Sequence, residues 1–157
     1  MRRRRACGRV RASAARAVRG RCAMTLSTWS GACHCGAVRF AFQAPSLRAF
    51  ACNCSLCHQR GVIWMGCADA RFQLIEGDSR LSTYTFGTHT ATHYFCHCCG
   101  AAPFSHPRLT PTEWVINLRC VDGVDLATLE VHRFDGQHWE DAARAWRQAQ
   151  AAGSALP

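Results

Sequence analysis

Between Ala37 and Gln43, the apolar residues Val38, Phe40 and Phe42 alternate with Ala37, Arg39, Ala41 and Gln43, and Pro45 ends the run. Successive side chains leave a strand in opposite directions, so a period of two predicts a strand with one buried face. Comparable short runs lie at Val62 to Cys67, Phe72 to Ile75, Leu81 to Phe86, Trp114 to Val121 and Leu129 to Phe134. Between them stand Glu76-Gly77-Asp78-Ser79, Asp122-Gly123 and Asp135-Gly136, which are residue types that reverse the chain. The pattern predicts a mainly β domain. Only the stretch from about His138 to Ala151 has helical spacing, with Trp139, Ala142, Ala143 and Trp146 on one face. That stripe reads as core packed on the sheet and not as a ligand site. There is no internal repeat and no linker.

A chain of 157 residues is the size of one domain. The formal charge of +9 is concentrated in residues 1–23, which hold nine of the nineteen arginines and no acid. From Met24 onward ten arginines balance ten Asp and Glu, so the domain makes no case for a nucleic-acid partner. Residues 1–23 cannot bury enough apolar surface to offset chain entropy and are expected to be a disordered tail. Three readings of it stay open: a basic arm, an Arg-rich targeting segment, or sequence upstream of a true start at Met24. Residues 24–157 then form the single domain. No apolar run is long enough to span a bilayer. Twelve cysteines with no secretory signal point to the reducing cytoplasm, where clustered thiols bind metal more often than they form disulfides.

Three clusters carry the chemistry: Gly31-Ala32-Cys33-His34-Cys35-Gly36, then Cys52-Asn53-Cys54-Ser55-Leu56-Cys57 followed by Arg60-Gly61, and Phe95-Cys96-His97-Cys98-Cys99-Gly100. Tetrahedral zinc binds thiolates at about 2.3 Å, which sets the sulfurs about 3.8 Å apart. Cysteines two apart on a flat strand have β-carbons roughly 6.5 Å apart, so these pairs must sit in turns or bent strand ends. The glycines at 31, 36, 61 and 100 supply bending freedom. A pair of cysteines is half a site, and half-sites must meet across the fold. The middle cluster has an odd number, which leaves a fourth position for water, substrate or another cysteine. An open position marks a catalytic zinc. Closure of that site by Cys98 or Cys67 is the alternative.

In order and spacing these motifs, with Pro103-Phe104-Ser105 after the last, resemble the glutathione-dependent formaldehyde-activating enzyme family, which includes centromere protein V. The resemblance covers about residues 28 to 140. It implies small antiparallel sheets pinned by two zinc ions per chain, the β-tent arrangement. Cys33, Cys35, Cys96 and Cys99 would hold a structural zinc. Cys52, Cys54 and Cys57 would hold the second, catalytic zinc at which glutathione, the co-substrate, binds. The implied reaction joins glutathione to an aldehyde such as formaldehyde, giving S-hydroxymethylglutathione, a carbon–sulfur lyase run in reverse. The chain departs from the pattern in its extra thiol, Cys98, and in having few insertions, where specificity usually resides.

Three cysteinates and one Zn²⁺ sum to −1, so such a metal is a weak Lewis acid and a fourth thiolate at it is exchangeable, whether for reaction or only for carriage. His34, His58 and His97 each adjoin a cysteine, and solvent or outer-shell positions are expected of them. His58, next to Cys57, is the best placed of the three to pass a proton to a nascent alkoxide. Arg60 is the candidate partner for a glutathione carboxylate. Cys67 and Cys120 fall in strand patterns and read as small core residues. The competing class of function is a non-catalytic zinc module that carries glutathione or binds a macromolecular partner.

Overall fold

The computed structural model describes residues 25–152. The expectations for residues 1–23 therefore lie outside the described residues. Ten strands and two helices follow in the order β1 (Ser27–Ala32), β2 (Arg39–Ala44), β3 (Ala49–Cys52), α1 (Ser55–Arg60), β4 (Trp64–Cys67), β5 (Phe72–Glu76), β6 (Leu81–Tyr84), β7 (Thr92–Cys96), β8 (Phe104–His106), β9 (Trp114–Asn117), β10 (Val131–Phe134) and α2 (Trp139–Ala151). They form a three-stranded sheet, β1-β2-β5, and a seven-stranded sheet, β10-β3-β4-β9-β8-β7-β6. The domain is mainly β, as the alternation requires.

The pattern at Val38, Phe40 and Phe42 is realised: all three side chains are fully buried on one face of β2 and the turn before it. They meet the larger sheet through aromatic contacts. Phe40 lies edge-on to Phe104 with ring centres 5.6 Å apart, and Phe72 stacks on Trp114 at 4.3 Å. Such pairs add specificity of geometry to the burial of large apolar surface. Ile116 and Leu118 complete this core.

Two features differ from the expectation. The run at Trp114 to Val121 is a strand only to Asn117, where the Asn side chain accepts the Arg119 N–H and turns the chain into a 3₁₀ segment, Leu118–Cys120. The sheets are also not wholly antiparallel, since β10 runs parallel to β3 with Phe134 opposite Cys52. This parallel pairing draws the turn after β10 alongside the middle cysteine cluster. Asn53 and Asp135 lock it there through a side-chain hydrogen bond of 2.8 Å, and the Gln137 N–H donates to the Asn53 carbonyl oxygen at 3.0 Å.

Candidate metal centres and active site

Cys33 and Cys35 sit in the turn between β1 and β2, Cys96 ends β7, and Cys99 lies in the turn after it. The chain reverses at Gly36 and Gly100 with φ of 76° and 75°, a left-handed backbone that residues bearing a Cβ avoid. The Val38 N–H donates to Cys33 Sγ at 3.3 Å. The two turns converge so that all four Sγ atoms lie within 4.8 Å of one another. Cys33 to Cys35 is 3.6 Å and Cys35 to Cys96 is 3.8 Å, which matches the edge of a tetrahedron of sulfurs around zinc. All four are free thiols. The donor set fits zinc and closes its coordination.

The second group is Cys52, Cys54 and Cys57, again with Sγ atoms within 4.8 Å. It is not one simple turn. Cys52 ends β3, Cys54 is the N-cap of α1, and Cys57 lies within that helix, so a strand end and a helical turn aim three sulfurs at one point. The indole N–H of buried Trp64 donates to Cys57 Sγ at 3.3 Å. Gly136, in the turn after β10, packs so closely that a Cβ there would overlap Cys52 Sγ and lie 2.9 Å from the Cys54 Cβ. Hydrogen bonds from Cys52 and then Cys57 hold the Cys54 thiol pKa down to about 2, while Cys57 is pushed well above the ordinary thiol range by Cys52 and Cys54. Three sulfurs this close cannot all be thiolates without a cation among them, so this donor set also fits a metal, with one coordination position left over.

Neither alternative fourth cysteine joins the triplet. Cys98 is exposed, and Cys67 is buried in the core with its thiol directed to the Ala68 carbonyl. Burial raises Cys67 and Cys120 to about 11, which leaves both as inert thiols.

The three cysteines line a cavity of about 420 Å³. Its walls are mostly apolar and carry the aromatic side chains of Phe50, Trp64, Phe86, Trp139 and Trp146. Reading the α2 stripe purely as core is therefore corrected: Ala143 is fully buried, but the two tryptophans are half-buried and face this cavity. Arg108 fastens the start of the helix, stacking over Trp139 at 3.6 Å and pairing with Glu140 at 2.7 Å.

His34, His58 and His97 are exposed. His58 borders a second hollow, together with Cys52, Cys57, Arg119 and Asp135, and is absent from the walls of the aromatic cavity. Arg60 borders neither hollow; its guanidinium lies over the Phe95 ring at 5.7 Å, with one terminal nitrogen buried and without a hydrogen-bond partner. The arginines on the aromatic cavity are Arg48, Arg108 and Arg133, and Arg133 borders both hollows. One wall residue escaped the sequence reading. His93, 8% exposed, lines the cavity from β7, with Nδ1 3.3 Å from the buried Ser105 hydroxyl and its ring stacked on Phe86. Burial, and then the Arg60 charge, hold its pKa below the ordinary value, while Cys54 opposes them. It adjoins no cysteine, and only its pairing across the sheet with Ser105 reveals it.

A small β domain with one group of four converging sulfurs and one of three has the donor sets of a metal-binding protein. The family model described as glutathione-dependent formaldehyde-activating enzyme matches residues 28–137, and the chain belongs to that family. It is also similar to the crystal structure of a Rhodobacter sphaeroides protein, at 34% identity and a TM-score of 0.61, over 66% of this chain and 98% of that one. The helix α2 and its cavity-facing tryptophans lie beyond the stretch the family model matches. No described helix is long and apolar enough to cross a membrane.

Proposed function

We propose that the protein joins the thiol of glutathione to formaldehyde or a related aldehyde, as a carbon–sulfur lyase acting in the synthetic direction. In this reading Cys52, Cys54 and Cys57 hold a catalytic zinc, and Cys33, Cys35, Cys96 and Cys99 hold a structural one. The observation that carries it is the sulfur count: four in the group remote from the aromatic cavity, and three in the group that lines it. A zinc ion held by the triplet would supply the positive charge that stabilises a thiolate at neutral pH, where a free thiol of pKa about 8.5 is only a few per cent ionised.

The remaining work belongs to the chain. Phe50, Trp64 and the α2 tryptophans give the cavity apolar walls, beside which electrostatic contacts are stronger than in bulk water. The Trp64 N–H and the close backing by Gly136 fix where the three sulfurs point. The carboxylate contact expected of Arg60 passes to Arg133, whose guanidinium borders both hollows. Formation of the adduct moves one proton, from the thiol to the new hydroxyl.

Exchange spectroscopy on the glutathione–formaldehyde adduct tests this reading, with calorimetry for glutathione binding alongside. Faster exchange with the wild-type protein, lost in Cys54→Ser, is the expected result. Glutathione binding without faster exchange would leave a carrier in place of an enzyme.

A further inference from the structure

The proton that moves in this reaction needs a place to wait, and the residue expected to handle it, His58, is exposed and lies off the aromatic cavity. We propose that His93 is the proton-transfer residue of the cavity, its Nε2 accepting the thiol proton and returning it to the oxygen of the adduct. The assignment rests on the function proposed above.

Three observations carry it. His93 lines the same cavity as Cys52, Cys54 and Cys57. Its ring is held on two sides, by Phe86 stacked with ring centres 5.6 Å apart and by Ser105, its cross-strand neighbour, at Nδ1. Ser105 is itself 1% exposed, so its hydroxyl is held in the sheet beside the ring. With Nδ1 engaged, Nε2 is the free nitrogen, and among the described residues it has no hydrogen-bond partner. When Nδ1–H donates to the Ser105 oxygen, Nε2 carries the lone pair and is a base. The charged neighbours acting on the ring are Arg60, which favours its neutral form, and Cys54, which opposes it.

The step balances. As the thiol enters, its S–H bond breaks and the proton passes to Nε2. The sulfur lone pair forms the S–C bond, the C=O π pair moves to oxygen, and Nε2–H protonates that oxygen. Nothing is oxidised or reduced, and the imidazole returns to its neutral form.

The test uses His93→Asn, whose amide can keep the Ser105 contact but cannot accept a proton, and His93→Ala. Calorimetry of glutathione binding in buffers of differing ionisation enthalpy counts protons released. The wild-type protein should release less than one proton per thiol bound, and His93→Asn a full one, at unchanged zinc content. Adduct exchange should fall at least about 10²-fold in both variants and recover in His93→Ala on adding imidazole. Equal proton release and equal exchange rates in wild type and His93→Asn would overturn the assignment and leave the proposed reaction standing. Wild-type protein that fails to accelerate exchange would instead overturn the proposed reaction, while the proton count still decides whether His93 takes the proton.

Discussion

Replacing Cys33 with serine should cost about twice as much stability as replacing Cys54, although each removes one sulfur from one metal group. Cys35 and Cys96, which meet at 3.8 Å, are 61 positions apart, so an ion shared by them would cross-link β7 to the first two strands. Closing a loop of that length removes about 4 kcal/mol of chain entropy from the unfolded state, if the metal acts as any cross-link does. A domain of this size is stable by only about 5–15 kcal/mol, so the loss is a large share. Cys52, Cys54 and Cys57 are near neighbours in sequence and close only short loops, for which the same relation gives about 2 kcal/mol, half as much. Urea unfolding of zinc-loaded proteins, followed by tryptophan fluorescence, separates the two cases. With a slope of about 2 kcal/mol per molar urea, Cys33→Ser should lower the midpoint by roughly 2 M. Cys54→Ser should lower it by no more than about 1 M while metal analysis shows one zinc lost. Equal shifts in the two variants would refute the division into a closed structural group and an open one.

Gly136→Ala should weaken metal retention at the triplet, since its Cβ would overlap Cys52 Sγ; chelator titration should release that metal at lower chelator concentration, at a cost of about 1–3 kcal/mol. Trp64→Phe removes the N–H that reaches Cys57 Sγ and should cost about 1–3 kcal/mol of glutathione affinity or metal affinity, read by calorimetry. Glutathione binding should weaken as pH falls, because the bound form is the thiolate; affinity measured from pH 8 to pH 6 should drop with each added proton. The Asp135–His138 pair, 2.8 Å apart, lowers the Asp135 pKa to about 2, through Asn53 first and then His138, and raises that of His138. The contribution of Asp135 is therefore present above its unfolded value and lost as pH falls towards about 2, and that of His138 is present below its unfolded value and lost as pH rises through its raised one. NMR titration of His138 should show a pKa above the ordinary histidine range in wild type that returns to it in Asp135→Asn.

Strand β2 was legible because Val38, Phe40 and Phe42 answer to a single buried face, and α2 because its period is helical. The cysteine pairs and the triplet were legible because sulfur spacing is a local property, whereas the meeting of Cys33 and Cys35 with Cys96 and Cys99 came only as what the family resemblance implies. Cross-chain proximity was not. β7 and β8 carry no clean alternation: Thr92-His93-Tyr94-Phe95 mixes polar and aromatic residues, and both faces of that strand pack against something. The helix α1 hides inside a motif that reads as a turn, since six residues show less than two helical turns. His93 lacks a cysteine neighbour, so nothing in its sequence setting distinguishes it from a surface histidine. The tryptophans of α2 have the right period for a core stripe, and only the fold shows that the surface they cover is a cavity wall.

Zinc K-edge absorption spectroscopy of the reduced, two-zinc protein, before and after adding glutathione, tests the central claim most directly. The average sulfur coordination per zinc should start between three and four and rise to four, with Zn–S distances near 2.3 Å throughout. The same addition to Cys54→Ser should change nothing. A spectrum already at four sulfurs, or one that glutathione leaves unaltered in the wild-type protein, would contradict the open site on which the account stands.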